Sequence, residues 1–231
     1  MKYKRVIWDW NGTLLDDFDI SIDAINEMFE ERGMPKFKDK EDYLKHFCFP
    51  IEKYYKNVGF DFLKEPYPVL AHEFIDKYNQ KLVSSGLVKG IREVLEAFKD
   101  AGIKQMILSA CEQNMLDKDI CRFGLGKYFD AVLGGGDIYA KGKVERALER
   151  TSDSKTDISD TLFVGDTLHD YDTAKAIGAD VLLVTYGHSD RTRLSATGQT
   201  VVDTPEEIKD FVFSEKLRQH FLRGVLPRFF S

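Results

Sequence analysis

Sulfur is scarce in this chain: its 231 residues include only three cysteines, Cys48, Cys111 and Cys121. None forms a C-x-x-C pair and the number is odd, so neither a zinc ribbon nor a disulfide framework is on offer. Reduced thiols in a cytoplasmic protein are expected instead. Long apolar runs are missing too. The basic start Met1-Lys2-Tyr3-Lys4-Arg5 is followed by only three apolar residues before Asp9, too few for a signal peptide. No run approaches the ~18 apolar residues of a membrane span. Positive charge is not in excess either. The net charge is -6, which excludes a broad basic face for nucleic acid and leaves an anionic ligand to be met by a local cation. No G-x-G-x-x-G or Walker pattern accompanies Gly134-Gly135-Gly136, which reads as a turn. The expected partner is a small molecule, with no nucleic acid and no membrane, and the chain is expected as a monomer or dimer.

What is present is enough apolar material for a sizeable core: 43% hydrophobic and 13% aromatic. Short apolar runs end in polar groups or glycine. Val6-Ile7-Trp8 ends in Asp9, Met106-Ile107-Leu108 in Ser109, and Ala131-Val132-Leu133 in the glycine run. Leu162-Phe163-Val164 ends in Gly165-Asp166, and Val181-Leu182-Leu183-Val184 in Thr185. Continuous runs of this kind suit strands buried on both faces. Between them lie helical patterns, such as Ile91, Val94, Leu95 and Phe98 on one face, and Tyr171 to Gly178 with Gly178 as C-cap. The expected class is α/β, a Rossmann-like parallel sheet core of about five strands. Residues 17–86 break the rhythm. They show helical spacing at Ile22, Ile25, Met28 and Phe29 and again at Leu70, Phe74, Ile75, Tyr78 and Leu82, and Pro35, Pro50, Pro66 and Pro68 punctuate them. They read as an inserted all-helical cap of about four helices, with residues 1–16 and 87–231 as the core. Ser214 to Ser231 reads as a terminal helix with an apolar face.

In an open parallel sheet, ligands bind beyond the carboxyl ends of the strands. The residues delivered there are Asp9, Ser109 and Asp166, with Lys143 following the third run. A carboxylate can attack phosphorus, a hydroxyl and an ammonium can hold phosphate oxygens, and several carboxylates can hold a hard cation such as Mg²⁺. Each residue also has a plainer account. Asp166 and Asp170 can cap the helix near Tyr171, Ser109 can be an N-cap, and Lys143 can be a surface lysine. The plainer account weakens because all four groups fall in order on one scaffold. His46 and His72 read as surface residues, because no His/Cys cluster surrounds them.

Asp9-Trp10-Asn11-Gly12-Thr13-Leu14-Leu15-Asp16 resembles the D-x-D-G-T-L-x-D signature of the haloacid dehalogenase superfamily. Val164-Gly165-Asp166-Thr167-Leu168-His169-Asp170, continuing to Ala174 and Gly178, is similar to its G-D-x-x-x-D motif, and Leu108-Ser109 and Lys143 resemble its two remaining motifs. The resemblance implies a phosphatase with a helical C1 cap, similar to phosphoglycolate phosphatases. It makes Asp9 the nucleophile and a Mg²⁺ ligand, with Asn11 (through its main-chain carbonyl), Asp166 and Asp170 completing the metal set. Ser109, Ala110 and Lys143 would grip the phosphate, and Lys143 would orient Asp9. Lys141 is a rival for the lysine role, because the usual Lys-Pro is absent. Arg32, Lys53 and Tyr54 are cap residues within the range of a substrate contact, with packing or solvation favoured for each.

The sequence departs from the family at Asn11, where most phosphatases of the superfamily carry an Asp that protonates the leaving oxygen. An amide cannot donate and recover a proton, and such acid–base help is typically worth about 10²–10⁴-fold. Several readings follow: a phosphatase whose substrate has a good leaving group, with Asp16, Asp17 or His169 recruited to activate water, or a slow phosphomonoesterase. Others are a phosphonatase-type C–P hydrolase using a cap lysine, for which Lys36, Lys38, Lys40, Lys45 and Lys53 are available, or a catalytically impaired binder of phosphate ligands.

Overall fold

The computed structural model describes residues 2–139, 143–152 and 158–214. Lys141 and the terminal helix expected from Ser214 onward lie outside the described residues, Ser214 itself apart. The chain begins with β1 (Arg5–Trp8) and a two-residue strand β2 (Leu15–Asp16). It then runs through helices α1 (Phe18–Glu31), α2 (Lys40–His46), α3 (Ile51–Asn57) and α4 (Tyr67–Leu82) and returns at β3 (Gly86–Leu87). From there helices and strands alternate: α5 (Ile91–Asp100), β4 (Lys104–Glu112), α6 (Gln113–Arg122), β5 (Ala131–Gly135), α7 (Lys143–Ser152) and β6 (Thr161–Gly165). The described chain closes with α8 (Leu168–Ile177), β7 (Asp180–Val184), α9 (Arg191–Ser195), β8 (Thr200–Val202) and α10 (Pro205–Phe213).

Six strands form a parallel sheet in the order β5-β4-β1-β6-β7-β8. That is one more than the five read from the sequence. The addition, β8, has only three residues, too short for its pattern to stand out. Successive side chains point to opposite faces. Val6, Trp8, Leu162, Val164, Leu182 and Val184 therefore enter one core with α5, α6 and α10. Ile7, Phe163 and Leu183 enter the other, with Ala174 and Ile177 of α8. The apolar runs are continuous because both faces are covered.

Helices α1 to α4 gather a second, aromatic-rich core that includes Phe18, Phe29, Tyr43, Tyr55 and Tyr67. The guanidinium of Arg32 ties α1 to Glu65 and to Glu73 of α4, each with an N–O contact of 2.6 Å. Where the chain leaves for these helices and where it comes back, β2 and β3 pair antiparallel, Leu15 opposite Leu87 and Asp16 opposite Gly86. Two-residue strands carry no periodicity, and the sequence reading passed over them. Among the described residues, no helix is long and apolar enough to cross a membrane.

Two local readings need correction. The third apolar run does not end at its glycines: Gly134 and Gly135 belong to β5, and a Cβ on either would collide with the main chain at Ala110, Cys111 or Gln113. Ser109 does not terminate β4, which continues to Glu112 through a register shift, and Glu112 rather than Ser109 caps α6.

Candidate active site

The sheet order makes β1 the strand from which the chain departs in both directions, so its carboxyl end faces the crevice where ligands settle. Asp9 stands there, its amide N–H donating to Val164 O at 2.9 Å. Asp166 follows β6, and Asp170 lies on the first turn of α8. That helix begins at Leu168, earlier than expected, and its N-cap is Thr167 rather than an aspartate. Asp170 closes the capping box. Its Oδ2 accepts from Thr167 N at 2.9 Å and Thr167 Oγ1 at 2.6 Å, and its Oδ1 accepts from Lys143 Nζ at 2.5 Å. Lys143 is not a surface lysine. It is 2% exposed and also donates to Asp9 Oδ1 at 2.5 Å.

Three carboxylates, Asp9, Asp166 and Asp170, each place an oxygen within 4.8 Å of the others, all buried. Burial first, then Asp170 and Asp166, raises the Asp9 carboxyl well above its usual range, with Lys143 offsetting only part. Burial also pushes Asp166 up to about 6, against the partial opposition of His188. Burial works the same way on Asp170, but Lys143 and Thr167 outweigh it and hold this carboxyl low. Lys143, which burial alone would discharge, is kept charged by Asp170 and Asp9. Negative charge is left over at this point. An all-oxygen donor set with an uncompensated charge fits a hard divalent cation. The cluster depends on close backbone approach: a Cβ on Gly12, which has φ of 70°, or on Gly187 would overlap the Asp166 carboxylate. Thr13 Oγ1 at 3.1 Å and His188 N at 2.6 Å donate to the two Asp166 oxygens.

Asn11 faces the helices. Its Nδ2 donates to Asp17 Oδ2 at 2.9 Å and to Tyr78 Oη of α4 at 3.0 Å. Asp17 also accepts from Gly12 N at 2.8 Å and Tyr78 Oη at 2.9 Å, and it meets His188 Nε2 at 3.2 Å. His188 Nδ1 lies 2.9 Å from Tyr43 Oη of α2. Sequence reasoning named Asp17 only as one recruit among several and missed His188, Tyr43 and Tyr78. His188 had a signal, because it stands four residues beyond the end of a buried apolar run, as the other site residues stand near theirs.

A cavity of about 170 Å³ opens between the sheet end and the helices. Asp9, Ser109, Ala110, Lys143 and Asp170 line its sheet side. Phe47, Phe49, Tyr54, Phe74 and Tyr78 line its helical side. Of Arg32, Lys53 and Tyr54, singled out in the sequence, only Tyr54 lines it: Lys53 is exposed, and Arg32 is spent on Glu65 and Glu73. Among the described residues, no lysine of α1 to α4 lines the cavity. His46 and His72 are exposed.

Residues 6–184 match the family model of the haloacid dehalogenase-like hydrolases. The chain is 27% identical over 218 residues to the N-acetylmuramic acid 6-phosphate phosphatase of Pseudomonas aeruginosa, covering 91% of this chain and 95% of that one. It is also 27% identical over 218 residues to the phosphoglycolate phosphatase of Neisseria gonorrhoeae, covering 87% of each. The crystal structure of a predicted phosphatase from Clostridium acetobutylicum superposes with a TM-score of 0.77 at 20% identity, over 91% of this chain and 98% of that one, a likeness of fold. With the motif residues gathered at the end of β1 and a family match across most of the sheet, the chain belongs to the haloacid dehalogenase-like hydrolase family.

Proposed function

We propose that this haloacid dehalogenase-like phosphatase is a cytoplasmic, Mg²⁺-dependent phosphohydrolase that releases phosphate from a small phosphorylated metabolite through an aspartyl-phosphate on Asp9. The observation that carries the reading is Asp9 itself: a buried carboxylate at the end of the central strand, held by Lys143 and open to the cavity. A carboxylate oxygen so placed can attack phosphorus in line with the departing ester oxygen. Lys143 keeps it oriented and adds positive charge where the phosphate charge concentrates. Ser109 and Ala110, on the same wall of the cavity, would hold the non-bridging oxygens. Asp9, Asp166, Asp170 and the main-chain carbonyl of Asn11 would hold the metal ion, which when bound offsets the repulsion between carboxylate and phosphate.

Residues 17–86 would act as a cap over a core made of residues 1–16 and 87–231, excluding water during transfer. The Asp17 and Tyr78 contacts of Asn11 then join the catalytic loop to that cap. The relatives that act on phosphoglycolate and N-acetylmuramic acid 6-phosphate support a small phosphorylated metabolite as substrate. The test is phosphate release from a panel of phosphorylated metabolites, phosphoglycolate included, with and without Mg²⁺ and with Asp9→Asn as control. Turnover that needs both Mg²⁺ and Asp9 is expected. The Asn variant should fall by about 10⁶-fold, the scale seen when a hydrolase loses its nucleophile. Turnover that persists in Asp9→Asn would refute the covalent route. A wild-type enzyme that accumulates phospho-Asp9 without releasing phosphate would mark a phosphate-ligand binder instead.

A further inference from the structure

We infer that Arg193 is a positioning residue for the reaction: from the core it holds the last turn of α2 and so sets Tyr43 and Phe47 over the cavity; this rests on the reading of residues 17–86 as a cap on a phosphohydrolase site. The argument starts from what α2 lacks. A helix leaves the carbonyls of its last turn without partners, and a cation near that end supplies donors and meets the negative end of the dipole. In α2 the Phe47 amide donates to Tyr43 O at 3.0 Å. Leu44 O and Phe47 O are met from the core instead: Arg193 Nη2 donates to Leu44 O, and Nη1 donates to Phe47 O at 2.7 Å. The remaining arm of the guanidinium is fixed on its own element. Arg193 Nε donates to Asp190, the N-cap of α9, which also accepts from Arg193 N at 3.0 Å. The planar fork is therefore oriented by α9 and presents two donors to α2.

What α2 brings to this seam is a wall of the cavity, because Tyr43 and Phe47 both line it. Their ring centroids lie 5.9 and 5.2 Å from that of His188, and Tyr43 Oη lies 2.9 Å from His188 Nδ1. His188 in turn donates its main-chain N–H to Asp166 and meets Asp17. Arg193 does not line the cavity, so its influence passes through α2. A second arginine sharpens the assignment. Arg122 of α6 donates to Leu82 O at 2.8 Å and to Ser85 Oγ at 3.0 Å, at the carboxyl end of α4. That contact lies at the returning linker, which the pairing of β2 with β3 already ties down. Leu44 and Phe47 are remote in the chain from both linkers, so α2 can part from the core while the linkers stay in place. Besides the Tyr43–His188 contact, Lys40 Nζ reaches Tyr186 O only at 3.5 Å. The two bonds from the guanidinium are charge-assisted, the stronger kind.

Two states follow, with α2 seated on the core or parted from it. A substrate gains contacts with Tyr43 and Phe47 only in the seated state. Weakening the seat lowers the fraction of free enzyme ready to bind, which raises KM. Saturating substrate draws α2 back, so kcat is kept.

The test is hydrogen–deuterium exchange of the full chain with Mg²⁺, read by mass spectrometry, for the wild type, Arg193→Ala and Arg191→Ala. Arg191 is the control: it stands on the same helix but pairs with Asp203 of the core. In Arg193→Ala, exchange should rise by at least about 10-fold on both sides of the seam, in α2 and in residues 186–189, the lower end of what a hydrogen bond to a charged group supplies. Strands β1 and β6 and helix α4 should keep wild-type rates, and Arg191→Ala should leave the seam unchanged. With the best substrate of the metabolite panel, KM should rise by a similar factor in Arg193→Ala and kcat should be retained. Unchanged exchange at the seam would overturn the inference. So would exchange raised in α2 alone, which marks fraying of one helix end, or raised alike in β1 and β6, which marks a general loss of stability. A seam loosened equally by Arg191→Ala, or a fall in kcat at unchanged KM, would overturn it too. Should Arg193→Ala not fold, Arg193→Lys, which keeps the charge but not the fork, is read in the same way. A wild type that releases no phosphate from any member of the panel would remove the phosphohydrolase reading, and the exchange pattern would still decide whether Arg193 holds α2.

Discussion

Replacing His188 by Gln should destabilise the protein strongly, and the loss should depend on pH with a defined sign. His188 and Asp17 face each other at 3.2 Å with side chains only 7% and 3% exposed. Burial alone would discharge the imidazole, yet Asp17 first and Asp166 after it reverse the effect and raise its pKa above the ordinary value. Burial would likewise raise Asp17, but His188, Asn11 and Tyr78 together bring it below the ordinary value. Removing one member of a buried pair typically costs about 3–5 kcal/mol. The lower end applies here, because Gly12 N, Asn11 and Tyr78 still donate to the stranded carboxylate. At roughly 2–4 °C per kcal/mol for a chain of this size, Tm should fall by about 6–12 °C. A histidine with a raised folded pKa contributes stability that is complete below its unfolded pKa of about 6.5 and disappears as pH rises through the folded value. Asp17 is depressed, so its share is lost only in acid, below about 3.9. Between pH 6 and pH 9, roughly, the gap in Tm between wild type and His188→Gln should therefore narrow steadily. Differential scanning calorimetry across that range, in EDTA, reads it. A gap under about 3 °C near pH 6, or one that widens toward pH 9, would refute the buried ion pair.

Three further outcomes are expected. Arg32→Ala, which cuts α1 from Glu65 and Glu73, should cost about 1–2 kcal/mol, read as the urea midpoint, with kcat retained because Arg32 lies outside the cavity lining. Apparent Mg²⁺ affinity, measured by calorimetric titration, should weaken as pH falls through about 6, because Asp166 must lose its proton to act as a ligand; a flat profile from pH 5 to pH 7, roughly, would count against Asp166 as a ligand. Gly187→Ala should leave a folded protein with lost Mg²⁺ affinity, since the new methyl occupies the space of the Asp166 carboxylate, whereas Gly126→Ala, with open space around it and no left-handed backbone, serves as the control.

The sheet was legible because both of its faces are buried. Runs such as Leu162-Phe163-Val164 stay apolar without alternation, and those of β1 and β6 lead directly to Asp9 and Asp166. The same logic reached Asp9, Ser109 and Asp166, and the family signature added Asp170 and Asn11. Short pieces escaped: β2 and β3 exist because the two ends of the helical insertion are drawn together, a long-range fact with no local trace.

The surroundings of Asn11 were hidden for a related reason. Asp17, Tyr43, Tyr78 and His188 come from four separated places in the chain, and each alone reads as packing or solvation. Brought together, they form a buried polar network that joins helices α2 and α4 to the loop beyond β7 and holds the Asn11 amide. Such a network carries most of its cost when one member is missing. Restoring the family's acid with Asn11→Asp therefore sets a second carboxylate beside Asp17, in place of an amide that donates to it. Unless the new carboxyl takes up a proton to replace that bond, like charges meet in a buried site. The variant that gains an acid for the leaving group should thus lose thermal stability as pH rises above its raised pKa, so that the proton it needs for catalysis and the proton it needs for folding are the same one.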